Sequence, residues 1–235
     1  MFRIKPMSQF DQHQKDFWNE HTNLRSYDHP IVRAFAQQRV ALIGELLGNS
    51  VINRAFEVGC GDGFGTYYMR QLVPDIYGCD NSLLMLQQNP IDKNLLCQAD
   101  AYALPYADSS FDLVYCWELL HHVHAPITVV REMARVSRKY VLIFEPNCFN
   151  PALFLFGLLM PSERGLLRCT PWYLKRLLRE ADLKQVRILT GGCFTPNRTP
   201  QWLYRLLRRM PYKWPLIGVS NIALGEVVRR PVVVV

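Results

Sequence analysis

The hydrophobic positions of this 235-residue chain follow two rhythms that take turns. Short apolar runs stand at 55–58, 76–79, 95–99, 111–116, 140–144 and 186–189, with a further one inside 219–228. Runs of that length, bounded by Gly, Asp, Asn and Ser, predict strands. The unbroken run Tyr140-Val141-Leu142-Ile143-Phe144 predicts a central parallel strand covered on both faces. Between the runs the spacing opens to a helical period. Phe10, Phe17 and Trp18 share one face of a helix over 8–20. Pro30 opens a second helix, in which Ile31, Phe35, Leu42 and Leu46 recur up to a capping Gly48. Another helix is expected at 67–73. Pro126 starts a further one, with Ile127, Val130, Met133 and Ala134 on one side, and Thr170-Pro171 form an N-cap and first-turn pair for a helix through 181. Segment 151–160 is apolar on every side, and 202–209 reads as a short basic amphipathic helix. Strands alternating with helices predict an α/β, doubly wound sheet, whose ligands sit at the carboxyl ends of its strands.

One stretch obeys neither rhythm. Gly59-Cys60-Gly61-Asp62-Gly63-Phe64-Gly65-Thr66 places glycine at alternate positions, which would melt a helix and weaken a strand. Such a stretch lets backbone N–H groups approach a ligand where a strand hands over to a helix N-terminus. Asp80 follows about twenty residues later at the tip of the next strand, the arrangement that binds ribose hydroxyls. No lysine follows the glycines, so the phosphate-cradling G-x-x-x-x-G-K-[ST] loop is excluded; G-x-G-x-x-G fails in both registers, at Phe64 and at Thr66. An adenosine-containing cofactor remains.

Composition adds bounds. Apolar residues make up 49% and charged residues 20%, ordinary for a soluble chain, and the net charge is +7. The charge is unevenly placed: residues 1–160 carry 13 basic and 16 acidic side chains, residues 161–235 carry 14 and 4. The seven cysteines are odd in number, scattered and without C-x-x-C, which supports neither zinc nor a disulfide framework. Cys60, Cys79, Cys97 and Cys116 fall at or just after strand ends and are expected as small buried hydrophobes. His121-x-x-His124 lacks a supporting carboxylate or cysteine cluster in sequence, so no metal is expected. Residues 1–6 contain no apolar leader, and no run reaches the length of a membrane span, so a cytoplasmic chain with reduced thiols is expected.

The pattern E-x-G-x-G-x-G from Glu57, followed by strand-tip acids, resembles the class I S-adenosylmethionine-dependent methyltransferases, in particular the small-molecule group that includes the ubiquinone-biosynthesis type. The resemblance covers about 54–147. It implies a seven-stranded Rossmann-like sheet with an antiparallel last strand, and S-adenosyl-L-methionine as cofactor, released as S-adenosyl-L-homocysteine. It also implies site residues. Glu57 matches the position that orders the loop and the cofactor ammonium, with Gly59, Cys60, Gly61 and Gly63 forming the loop. Asp80, with Asn81, matches the ribose-binding acid, and Asp100-Ala101 the pair that reads adenine. Cys116 and Trp117 match the strand end whose backbone faces the methionine part. The segments 1–50 and 148–235 would then be a helical cap and substrate-side insertions around a core of 51–147, in one domain over 1–235. In that family the N-terminal helices close over the active site, which would bring Tyr27-Asp28-His29 near it. Sulfonium methyl transfer needs alignment and a dry pocket, and a base only where the acceptor carries its proton to the reaction. His121 and His122 are the leading candidates, with His124, His29 and Glu145 behind them.

The Asn-Pro-Pro-Tyr-like tetrad of adenine methylation is replaced here by Trp117-Glu118-Leu119-Leu120, and no cysteine has the proline-adjacent setting of cytosine methylation. The Phe-, Leu-, Trp- and Arg-rich segments 146–170 and 191–218 suit a small hydrophobic or lipid-like acceptor. Three readings stay open beside it: an RNA or protein acceptor held by the basic C-terminal third, a non-catalytic cofactor-binding protein, and peripheral contact of 202–209 with an anionic membrane.

Overall fold

The computed structural model describes residues 8–228; the stretch 1–6, read above for a leader, lies outside them. The strands are β1 (Arg54–Val58), β2 (Asp75–Asp80), β3 (Leu96–Gln98), β4 (Phe111–Trp117), β5 (Ser137–Pro146), β6 (Lys184–Gly191) and β7 (Ser220–Glu226). They form one sheet in the order β3-β2-β1-β4-β5-β7-β6, with β1 to β5 parallel and β7 antiparallel to both its neighbours. The helices are α1 (Gln9–Glu20), α2 (Pro30–Leu47), α3 (Phe64–Met69), α4 (Leu83–Gln88), α5 (Pro126–Val136), α6 (Pro151–Leu159), α7 (Pro171–Glu180) and α8 (Gln201–Leu207).

The continuous apolar runs are explained by a sheet covered on both sides. Phe56, Val58, Val114, Cys116, Val141 and Ile143 pack on one face against Val129, Val130 and Met133 of α5 and Leu174, Leu177 and Leu178 of α7. The alternate residues Ala55, Leu113, Tyr115, Trp117, Leu142 and Phe144 pack on the other face against Ala36, Val40 and Ile43 of α2 and Tyr68 and Met69 of α3. Each buried Val, Leu, Ile, Phe or Met among them contributes about 1.5–3 kcal/mol.

Local chemistry sets the helix starts. Thr170 Oγ1 accepts from Tyr173 N at 3.0 Å, as its pairing with Pro171 predicts. Ser8 Oγ and Asn150 Oδ1 do the same for α1 and α6. The helix expected at 67–73 instead begins at Phe64, straight after Gly63 at φ 93°, and ends at Met69. The turn that follows leads into Pro74, which disfavours helix in the residue before it. α8 ends at Leu207, so Arg208 and Arg209 leave the helix expected at 202–209. Tyr27-Asp28-His29 does not reach the site: Tyr68 Oη donates to Tyr27 O, the Tyr27 ring packs on Tyr67, and His29 Nδ1 accepts from Ile31 N to cap α2.

The strand order reverses between β1 and β4, and α1 crosses above the carboxyl ends near that point. Its Gln14 Nε2 donates to Ser162 O, its Asp11 accepts from Tyr102 Oη, and its Trp18 O accepts from Ser82 Oγ. That is where a doubly wound sheet binds its ligand.

Candidate active site

Under α1 lies a cavity of about 850 Å³. One end is the glycine loop. Gly59 N and Cys60 N both donate to Cys79 O, which folds the loop over the end of β2. Gly61, at φ 48°, donates its N–H to Asp80 Oδ2 at 2.9 Å, and Ser82 N donates to Asp80 Oδ1 at 2.8 Å. Burial raises the Asp80 pKa, and those backbone donors pull it back. Glu57 lies beneath the loop, its Oε2 accepting from Tyr115 Oη at 3.1 Å; burial drives its pKa well up. Its space exists only because position 65 has no side chain: a Cβ there would stand 2.0 Å from Glu57 Oε1.

Of the loop and strand-tip residues singled out by sequence, Glu57, Gly59, Cys60, Gly61, Asp80, Asn81, Asp100, Ala101 and Trp117 all line this cavity. Two take other places. Gly63 caps α3, and Cys116 is fully buried in the core on the α5 side of the sheet. Among the four cysteines expected as buried hydrophobes, Cys60, Cys79 and Cys116 are buried and Cys97 is half-buried.

At the far end stand His121 and His122, with ring centroids 3.8 Å apart. Glu145 is not available as a base. Its fully buried carboxylate accepts from Leu120 N, His121 N and His121 Nδ1 at 2.6, 3.2 and 2.7 Å, anchoring the short 3-10 turn that carries both histidines. His124 is exposed, its N–H tied to Asp11, so it too stands aside. Burial opposes a charge on His121, but the Glu145 carboxylate and then Glu163 outweigh it and raise its pKa to about 10. Burial and the charge of His121 lower that of His122 to about 3. Because Gln14 Nε2 donates to Ser162 O, Gln14 Oε1 faces His122 Nδ1 at 2.9 Å. Nδ1 must therefore carry the hydrogen, leaving the Nε2 lone pair free. His121, His122 and Glu163 offer ligand atoms within 4.8 Å of one another and are a group that could hold a metal ion.

Between the two ends lies a residue that sequence reasoning missed. Arg39 is fully buried, with its guanidinium 4.0 Å from the Phe35 ring, 4.7 Å from Phe144 and 5.2 Å from Trp117. Nη2 pairs with Glu118 and donates to Ser220 Oγ. Nε and Nη1 have no hydrogen-bond partner among the described residues, nor has Trp117 Nε1. The sequence signal was there: Phe35, Arg39, Leu42 and Leu46 share one helix face, and a lone arginine on an apolar stripe is costly unless it is used. Glu118 holds φ at 58°, an uncommon left-handed conformation for a residue with a side chain.

Part of the remaining wall is apolar, made by Leu153 and Phe156 of α6, Leu203 and Leu207 of α8, and Phe194 and Leu166, with Asn150, Asn197, Arg198 and Thr199 among the polar residues beside them.

This sheet order, with a glycine loop, a strand-tip acid and a cavity at the topological reversal, defines a class I methyltransferase. Residues 56–144 match the family described as Methyltransferase domain. The ubiquinone biosynthesis O-methyltransferase of Alkalilimnicola ehrlichii is 30% identical over 178 residues, covering 67% of this chain and 71% of that protein. That of Bordetella avium is 29% identical over 143 residues, or 57% of this chain, which spans 58% of that protein's length. A SAM-dependent methyltransferase structure from Thermotoga maritima shares the fold with a TM-score of 0.64 at 14% identity, over 84% of this chain and 92% of that one. The chain belongs to the class I S-adenosylmethionine-dependent methyltransferases of the small-molecule type, and S-adenosyl-L-methionine is its cofactor.

Proposed function

We propose that the chain, acting as one cytoplasmic domain over 1–235, methylates an oxygen of a small hydrophobic or lipid-like acceptor. The observation that carries this reading is that one cavity joins the glycine loop to the apolar chamber between α6 and α8. The relatives named as ubiquinone-biosynthesis O-methyltransferases favour oxygen as the atom modified.

The residues present fit the cofactor. Buried N–H groups of Arg39 and Trp117 without acceptors suit an amino-acid carboxylate. Asp80 and Asn81 suit a ribose diol, Asp100-Ala101 an adenine edge, and the acidic Glu57, Asp62 and Glu118 an ammonium. S-adenosylmethionine supplies a methyl group already activated on a sulfonium. The chain aligns the acceptor and excludes water, effects that account for several kcal/mol of a barrier. His122 stays neutral at physiological pH, and its free Nε2 accepts a hydrogen bond from the acceptor hydroxyl and orients it. His121, locked to Glu145, positions the turn. The reading in which the basic C-terminal third holds RNA or a protein instead predicts binding that falls steeply with salt.

Asp80→Ala tests the site. Calorimetry with S-adenosylhomocysteine should show affinity reduced by tenfold or more, of the order expected for losing a charge-assisted hydrogen bond, with the circular dichroism spectrum unchanged. An unaltered affinity would overturn the placement of the cofactor.

A further inference from the structure

Helix α6 presents three different sides. Leu153 and Phe156 line the cavity, Gly157 lies against Leu166 and Leu167, and Phe154, Leu155, Leu158 and Leu159 face solvent. Leu155 is 55% and Leu159 69% exposed. The helix continues a larger patch. Phe149 packs on the exposed Trp172 at 5.4 Å between ring centroids, and Asn150 Nδ2 donates to Ile217 O, bringing the exposed Leu216 and Ile217 alongside. α8 repeats the pattern: Leu203 and Leu207 line the cavity, Tyr204 is buried against Phe194, and Trp202 and Leu206, each 65% exposed, point outward beside Arg205. Arg208 and Arg209 follow, both exposed, and Arg198 lies over the Phe156 ring at 4.9 Å.

We propose that this face docks on an anionic phospholipid surface. The outward Phe154, Leu155, Leu158, Leu159, Trp202 and Leu206 enter the boundary between headgroups and acyl chains. The arginines of 198–209 meet the lipid phosphates. Two observations select this occupant over a second copy of the chain. The charge of 161–235 is one-sided, 14 basic to 4 acidic, so two copies would bring like charges together. The same two helices also wall the acceptor chamber, so docking opens that chamber toward the bilayer. No helix among the described residues is long and apolar enough to cross a membrane, so the contact is peripheral. The proposal rests on the reading of the acceptor as lipid-like, but its test does not use catalysis.

The test is co-sedimentation of the full chain with vesicles of neutral phosphatidylcholine and with vesicles containing about a third phosphatidylglycerol, at low and high salt. Tryptophan fluorescence is followed in parallel. Binding to the anionic vesicles with a blue shift, lost at high salt and in the neutral vesicles, is the expected result. Leu155→Asp with Leu159→Asp should abolish it. Arg205→Glu with Arg208→Glu should weaken it by about tenfold or more. Affinity for S-adenosylhomocysteine, unchanged in both double variants, shows that each is folded. Absence of vesicle binding by a chain that still binds S-adenosylhomocysteine would overturn the docking and leave the methyltransferase reading standing. So would a concentration-dependent dimer abolished by the leucine variant, or retention of a single-stranded RNA in place of vesicles.

Discussion

Two adjacent histidines are driven in opposite directions by what surrounds them, and the consequence is measurable. His121 has a folded-state pKa of about 10 against an ordinary 6.5, so the folded chain holds a proton that the unfolded chain releases between those values. Its stabilisation is complete below pH 6.5 and is lost as pH rises toward 10. His122, at about 3, does the reverse: the unfolded chain takes up a proton below 6.5 that the folded chain refuses, so stability falls toward acid. Glu163, pushed up by burial but pulled down to about 2 because its bond to His121 and the positive charges around it together outweigh that burial, adds to the acid loss below the ordinary carboxylate range. Each titration contributes a slope of up to about 1.4 kcal/mol per pH unit. The melting temperature should therefore crest near neutrality. His121→Gln should flatten the alkaline limb, whatever it costs in overall stability, and His122→Gln the upper part of the acid limb. Parallel curves for wild type and both variants in calorimetric scans would refute the assignment. None of this is visible in the string His121-His122, because Glu145, Glu163 and Gln14 reach it from β5, from the segment after α6 and from α1.

At the scale of elements, the strands, the glycine loop and the capped helices were legible because their signals are local: apolar runs, alternate glycines, Thr170-Pro171. Nine of eleven cofactor-site candidates line the cavity for the same reason, each standing at a strand end or in the loop. What stayed hidden was set by packing between distant segments. The place of Arg39 on an apolar helix face is legible, but its partners are not until the chain beyond β4 and the start of β7 bring Glu118 and Ser220 to it, and the outer face of α6 looks like core until the fold leaves it uncovered. Glycine shows the same divide. Gly65 and Gly44 both lie in helices, and replacement by alanine should act with opposite signs. At Gly44 a Cβ would meet only Leu72 Cδ1 at 3.5 Å, ordinary contact, so Gly44→Ala should stabilise by about 0.5–1 kcal/mol. At Gly65 the new carbon lands on the Glu57 carboxylate, whose rotation away from Tyr115 should cost about 1–3 kcal/mol and loosen the loop. Urea denaturation of the two variants decides; a stabilised Gly65→Ala would mean that Glu57 does not occupy the space beneath the loop.

For the whole molecule, the two halves of the site are held with unequal strength. The glycine loop and strand tips belong to a sheet buried on both faces, whereas α1 buries a single residue, Gln14, and is fastened mainly by hydrogen bonds: Ser8 donates to Asp11 at the helix start, Gln14 donates to Ser162 O, and Asp11 and Trp18 O accept from Tyr102 and Ser82. Few buried apolar contacts and a few polar ties are the physical marks of a segment that opens well before global unfolding. A ligand bound beneath α1 is in contact with both halves and adds its binding energy to their closure. At about a hundred times its dissociation constant, S-adenosylhomocysteine should stabilise the fold by about 2.7 kcal/mol, a rise of roughly 5–10 °C in melting temperature for a chain of this size. The gain should not be evenly spread. Amide exchange of α1 and of the 59–63 loop should slow most, while β4 and β5, already protected up to the global limit, should change only as far as global stability does. Uniform slowing along the chain, or an α1 that exchanges as slowly without ligand as with it, would show that the helix is an integral wall of the site and that the ligand reaches it by another path.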